Sequence, residues 1–149
     1  MDGQHDLSEI RRYLKKNHVF TLCTTADSEL WCASCFYVAD TDAMLLYFLT
    51  EPHTQHGTMM QQNPQVAGTV SAQTVTVAKI RGIQFRGEVI ALSDEAEKQA
   101  RAQYCRRFPV AIAAKTPVWG LRLDEIKMVN NTLGFGKKLH WSRISADSE

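Results

Sequence analysis

The segment Leu49 to Pro64, LTEPHTQHGTMMQQNP, lies between two apolar runs, AMLLYF and QVAGTV, that read as strands. It sets Thr50, His53, Thr54 and His56 where a strand hands over to a short helix. The first N–H groups of a helix lack intrahelical acceptors and sit at the positive end of its dipole, so anions and phosphates settle there. The plainer reading is that Thr54 caps the helix while both histidines face solvent. A second suggestive stretch is WCASC, Trp31 to Cys35, since an aromatic before Cys-x-x-Cys can mark a thioredoxin-type redox pair. Such pairs work at a helix start, where the dipole lowers the thiol pKa. Here the motif lies within ELWCASCFYVAD, whose aromatic and β-prone residues read as a strand. Residues three apart on a strand point to opposite faces, so Cys32 and Cys35 can neither pair nor share a metal. No second Cys pair completes a zinc site, and the thiols are expected to be buried and inert.

Two further groups of polar side chains lie toward the C-terminus. On the run TVAKIRGIQFRGEVIAL, a strand would put Lys79 and Arg81 on one face and Gln84 and Arg86 on the other. A solvated barrel face accounts for these charges as well as a site does. In the tail, NNTLGFGKK has turn-forming glycines able to bring Phe135 and Lys137 against a ligand, or simply to close the fold. Trp31 and Trp119 are expected in the core. No spacing of acids, bases or nucleophiles betrays a catalytic dyad.

These residues must be positioned by one domain, residues 1–149, long enough to bury a core. Its 17 basic and 16 acidic residues nearly cancel, giving no electrostatic case for nucleic acid or a membrane surface. No apolar run reaches the length of a membrane span, and MDGQHDLSEI is too polar for a signal peptide, so a cytoplasmic protein is expected.

Along the chain, Asp6 and Glu9 have capping-box spacing and Leu7, Ile10, Tyr13 and Leu14 share a face, which predicts a helix over residues 7–17. Strands follow over VFTLCTT, residues 30–39 and residues 43–50, separated by turns at 26–29 and 40–42. A helix over about residues 54–62 ends at Asn63-Pro64, and VAGTVSA is the next strand. Gly82 and Gly87 mark the long strand after it as bent or bulged. Ser93 starts a helix that Pro109 stops, and VWGLRL and IKMVNN read as two more strands. The result is an α+β fold: a six- or seven-stranded antiparallel split β-barrel with flanking short helices.

This order of elements resembles the FMN-binding split-barrel family typified by pyridoxamine 5′-phosphate oxidase, and within it an uncharacterised bacterial YhbP-like branch. The resemblance runs over about residues 7–141 and rests on LWCASCFYVAD, LTEPHTQHGTMMQQNPQVAGTV, IRGIQFRGEV, RRFPVA and LDEIKMVNNTLGFGKKLHW in this order. It implies that FMN phosphate is held at the strand end and helix start. Thr50 and Thr54 fall on the family's hydroxyl positions, and Gln55 and His56 on its usual Arg and Lys. Ala33, Ser34, Phe36 and Tyr37 would border the isoalloxazine ring, with Cys32 and Tyr37 standing where relatives often carry Arg and Lys. Arg81, Gln84, Phe135 and Lys137 would complete the site, which in the family is often shared across a dimer interface.

The resemblance therefore implies a homodimeric, FMN-dependent oxidoreductase acting on a small molecule. The competing expectation is a binding protein without redox turnover, holding a phosphorylated or tetrapyrrole ligand in the same groove. In that case His53 or His56 could serve haem as an axial ligand. No dedicated metal site is expected, because no third imidazole accompanies the two histidines.

Overall fold

The computed structural model describes residues 2–144. One antiparallel sheet curls on itself in the order β2-β1-β5-β6-β7-β4-β3, with β8 added beside β7. The strands are β1 (Val19–Ala26), β2 (Glu29–Phe36), β3 (Val38–Asp40), β4 (Leu45–Leu49), β5 (Gln65–Ser71), β6 (Arg81–Ala91), β7 (Val118–Asn130) and β8 (Lys138–Ser142). Among the described residues three helices flank them: α1 (Asp2–Lys16), α2 (Gln55–Gln62) and α3 (Asp94–Arg107). This is the expected α+β split barrel, with eight strands rather than six or seven. The count rises because the tail adds β8, Lys138–Ser142, and because the predicted 30–39 strand breaks at Tyr37. Its ring turns fully into the core, and its N–H donates to the His18 carbonyl. Conversely, VWGLRL and IKMVNN form one thirteen-residue strand, β7. It runs through because it pairs along nearly its whole length with β6, and with β4 and β8 at its two ends.

Alternation makes the core. Phe20 and Leu22 of β1, Leu46 and Phe48 of β4, Ile83 and Phe85 of β6, and Leu121, Leu123 and Ile126 of β7 point inward, each 5% exposed or less. Burying a side chain of this size is worth about 1.5–3 kcal/mol. Phe20 meets Phe48 edge-on, with 5.2 Å between ring centroids. α1 covers one opening of the barrel with Ile10, Tyr13 and Leu14, all buried.

Several local expectations are corrected. α1 begins at Asp2, so Asp6 is not its cap; the Asp6 carboxylate accepts the His140 N–H, and Glu9 pairs with Arg12. Lys79 lies in a 3-10 turn ahead of β6, so it shares no strand face with Arg81. The predicted irregularity of the long strand is present as a register shift between Arg86 and Gly87. The turn between β1 and β2 has two residues, Asp27 and Ser28, at φ of 51° and 66°. Positive φ at both positions is the type I′ geometry that matches strand twist.

Candidate functional site

Thr54 does what its residue type dictates at a helix start. Its hydroxyl accepts the Gly57 N–H at 3.1 Å and donates to the Glu51 carbonyl at 2.8 Å. Both of its bonds are spent on the cap, so the plainer reading holds for this side chain. It fails for His56, which is partly buried with Nε2 3.3 Å from the hydroxyl of Thr50. Thr50 is only 4% exposed, just past the end of β4. The indole N–H of Trp119 on β7 donates to the Thr50 carbonyl at 2.9 Å. Burial pushes the Cys35 thiol up to about 11 and lowers the His56 pKa below its ordinary value of 6.5. At neutral pH this cluster is uncharged.

Gln55 is aimed elsewhere. Its amide reaches Met59 Sδ along another side of α2, where a groove of about 320 Å³ separates the helix from the β1–β2 turn. His53, Thr54, Gln55 and Thr58 line one wall of that groove, and Asp27 and Glu29 stand on the other. The four residues assigned to a phosphate therefore divide: Thr50 and His56 face each other, Gln55 faces two carboxylates, and Thr54 is internal to the cap. The N–H groups of Gln55 and His56, the first two of α2, have no intrahelical acceptor. As a donor set, the imidazole and these amides suit phosphate oxygens, with no formal cation among them.

The residues assigned to the flavin ring divide in the same way. On β2, Ala33 shares the inward face with Cys35, whereas Ser34 and Phe36 point outward. Phe36 stacks on His18 and meets Phe108 edge-on, at 5.8 and 5.6 Å. Tyr37 is a core residue: its hydroxyl donates to the Leu14 carbonyl, and burial raises its pKa. It offers nothing to a ligand.

Arg81, Phe135 and Lys137 gather at the other end of the barrel. Arg81 pairs with Asn130, the last residue of β7, and its guanidinium lies 5.4 Å from the Tyr13 ring centroid. The Lys137 carbonyl accepts the Asn130 N–H, and Phe135, between Gly134 and Gly136 at φ of 140° and 72°, is 85% exposed. Gln84 is exposed midway, between Thr69 and Lys127. Thr50 adjoins Val118, at the start of β7. Twelve residues of strand at about 3.3 Å each put the two clusters roughly 35–40 Å apart along β7. One ligand on one chain cannot touch both.

Two features escaped sequence reasoning. Asp27 and Glu29 reach the groove only because the hairpin folds beside α2, which no local pattern reveals. Trp119 was expected in the core, and its ring is packed there, but its N–H fixes the carbonyl of a candidate site residue. Trp31, also assigned to the core, is 50% exposed. The thiols are not uniformly buried either: Cys32 is exposed, Cys23 and Cys105 are intermediate, and Cys35 alone is buried. β2 lies at the edge of the sheet order, and its first four residues, Glu29 to Cys32, are exposed on both faces. Among the described residues no group of three metal-ligating side chains assembles.

Comparison with known proteins places this geometry. Among solved structures, a haem-binding protein from Mycobacterium smegmatis superposes with a TM-score of 0.77 at 17% identity, over 92% of this chain and 57% of its own. An FAD-binding protein from Mesorhizobium loti gives 0.69 at 15% identity, over 81% and 91%. A provisional pyridoxamine 5′-phosphate oxidase from Listeria innocua gives 0.69 at 12% identity, over 83% and 98%. Likeness at such low identity establishes the fold alone, the pyridoxamine 5′-phosphate oxidase-like split barrel. No protein-family model matches the chain. A UPF0306 protein of Yersinia enterocolitica is 56% identical over 146 residues, 98% of this chain and 99% of that protein. Another, from Photorhabdus laumondii, is 57% identical over 143 residues, 96% of this chain and all of that protein. Agreement at more than half of all positions from end to end makes this chain a member of the UPF0306 family.

Proposed function

We propose that this UPF0306 protein is a homodimeric, FMN-binding oxidoreductase that takes the flavin phosphate at the start of α2. The observation that carries the reading is Thr50 and His56 in contact beside a helix start whose first two N–H groups have no intrahelical acceptor. An arriving phosphate would accept from those amides and from His56, on the side of α2 away from Asp27 and Glu29. The adjacent anion would favour the imidazolium and recover part of the charge that relatives supply through Arg and Lys. The isoalloxazine supplies the redox chemistry; the chain binds and orients it. Ala33 on the inward face of β2 is the ring-bordering residue best placed for this. Because Arg81, Phe135 and Lys137 lie at the far end, the partner subunit would bring them to the site, together with Gln84 from midway along β6.

Such a dimer would not pair through the long strand β6. Ile83 and Phe85 are buried in the chain's own core, so β6 has no apolar outer face to pair. Five of the exposed apolar side chains, Val75, Val77, Ile80, Leu133 and Phe135, gather instead around the arm formed by residues 72–80 and 131–137. The two pieces of the arm are tied by the Asn131 amide to the Val77 carbonyl at 2.9 Å. A cytoplasmic location belongs to the same proposal; no helix among the described residues is long and apolar enough to cross a membrane.

Isothermal titration with FMN and riboflavin tests the reading. FMN should bind more tightly than riboflavin, and bound protein should show flavin absorption. Equal affinities would mean that the phosphate is not recognised, and no binding of either would remove the flavin assignment.

One observation favours a second reading. Burial keeps His56 neutral, and neutral imidazole is the form that ligates haem iron. A solved structure of this fold is a haem-binding protein. A Soret band in the purified protein, or after adding haem, abolished in His56→Ala, would establish that alternative.

A further inference from the structure

Cys23 and Cys32 face each other directly across β1 and β2, with 3.3 Å between their sulfurs. The hairpin geometry makes this opposition more than proximity. Ala26 and Glu29 flank a two-residue turn and therefore form a hydrogen-bonded pair. Pair types alternate away from the turn, which makes Cys23 and Cys32 a non-hydrogen-bonded pair. Such pairs have Cα atoms about 4.5 Å apart and the closest side chains, within the range a disulfide spans without backbone movement. Both thiols lie on the outward face of the hairpin, while Ala33 and Cys35 face the Thr50–His56 side. Cys32 is exposed and Cys23 is partly covered, in a shallow groove that also holds Leu30, Ala67 and Arg86.

We infer that Cys23 and Cys32 form a reversible dithiol–disulfide site, separate from the site at α2, that exchanges with low-molecular-weight disulfides. The Cys32 thiolate attacks a disulfide RSSR, forming a Cys32–SR bond and releasing RSH. Cys23 then attacks Cys32 Sγ, closing the Cys23–Cys32 bond and releasing the second RSH. The protein dithiol loses two electrons and two protons, and RSSR gains both as two RSH. The order follows from access, since only Cys32 stands free to meet a reagent. Burial, with the Cys32 sulfur beside it, pushes the Cys23 thiol up to about 11, so closure should accelerate as pH rises.

The full-length protein, equilibrated across a series of reduced and oxidised glutathione mixtures and then alkylated, tests this by intact mass and peptide mapping. The expected result is one two-electron transition in which the protein loses two hydrogens, with the bond mapped between residues 23 and 32. Cys23→Ser should instead keep a stable glutathione adduct on Cys32. A lasting adduct on Cys32 in the wild-type protein, or two thiols that stay alkylatable across the whole series, would overturn the inference. The wild-type measurement decides this whether or not the variant folds.

Discussion

The two ends of β7 differ in what they leave unfinished. At the Val118 end the polar groups answer one another: Trp119 holds the Thr50 carbonyl, Thr50 meets His56, and Thr116 donates to the Glu51 carboxylate. Among the described residues no buried side-chain polar atom lacks a partner. At the Asn130 end, Val75 is fully exposed and Phe135 nearly so, on segments that bury no apolar surface of their own. Exposed apolar side chains are ordinary when scattered, but five on two adjoining segments make a patch that a partner would cover. The first end is built by folding; the second is proposed to be built by association.

The largest effect expected is on the folded end. A Cβ at Gly57 would run into the Glu51 carbonyl oxygen and lie 2.7 Å from the Thr54 hydroxyl, the two partners that form the cap. Gly57→Val should cost about 1–3 kcal/mol, the range for overpacking, and lower the thermal midpoint by roughly 3–10 °C. It should also abolish FMN binding, because the helix start itself must shift. Thermal scans and titration check both. Binding that survives intact would detach the ligand from this end.

The next effect belongs to the arm. Val75→Asp with Phe135→Asp should convert the proposed dimer to monomer in sedimentation at micromolar concentration. Obligate interfaces commonly bury upward of about 2,000 Å², and charges at their centre are poorly tolerated. The same changes should leave monomer stability within about 0.5 kcal/mol, as for other surface sites. FMN affinity should fall at least tenfold if the partner completes the site. Unchanged affinity in a confirmed monomer would confine the site to the α2 end.

What was legible in the sequence follows the same division. The helix at 54–62, its Thr54 cap, the hairpin turn at 26–29 and the strand alternation are local features, written in residues a few positions apart. The position of Tyr37 was not. A strand-compatible tyrosine turned inward because α1 offers a carbonyl to its hydroxyl, a partner 23 residues away. The cysteines illustrate both cases. Cys32 and Cys35 do fall on opposite faces, as a period of two requires, yet the pairing that matters joins Cys32 to Cys23. It depends on hairpin register, which the two-residue turn sets. For the site, the helix start was readable, whereas the separation of Arg81 and Lys137 from it needed strand order.

His56→Ala addresses the folded end alone. It should weaken FMN by about 1.5–3 kcal/mol, the range for a hydrogen bond to a charged group, and leave riboflavin nearly unaffected. The pH dependence has a definite sign. Burial lowers the His56 pKa in the folded chain, so its contribution to stability is present above the ordinary value of 6.5 and is lost as pH falls through the folded value. Phosphate acts oppositely, favouring the protonated ring. The preference for FMN over riboflavin should therefore rise as pH falls from about 8 to about 5.5, while the ligand-free protein becomes less stable. A preference that is flat with pH, or that survives in His56→Ala, would remove the imidazole from the site.

The smallest effect is expected at Gln55, where the family's arginine is missing. A guanidinium matches phosphate bidentately, so residue type alone promises a large gain from Gln55→Arg. The geometry reduces it. Gln55 looks into the groove that Asp27 and Glu29 share, away from the Thr50–His56 contact. An arginine there has two carboxylates to pair with before any ligand arrives, and exposed pairs of that kind are worth about 0–1 kcal/mol. The substitution should tighten FMN by less than about 1 kcal/mol, because binding must first give up that pairing. Combining it with Asp27→Asn and Glu29→Gln should release the guanidinium and enlarge the gain for FMN, but not for riboflavin. Titration of the wild type, Gln55→Arg and the combined variant with both ligands separates the outcomes. A full gain from Gln55→Arg alone would place the phosphate in the hairpin groove rather than beside His56.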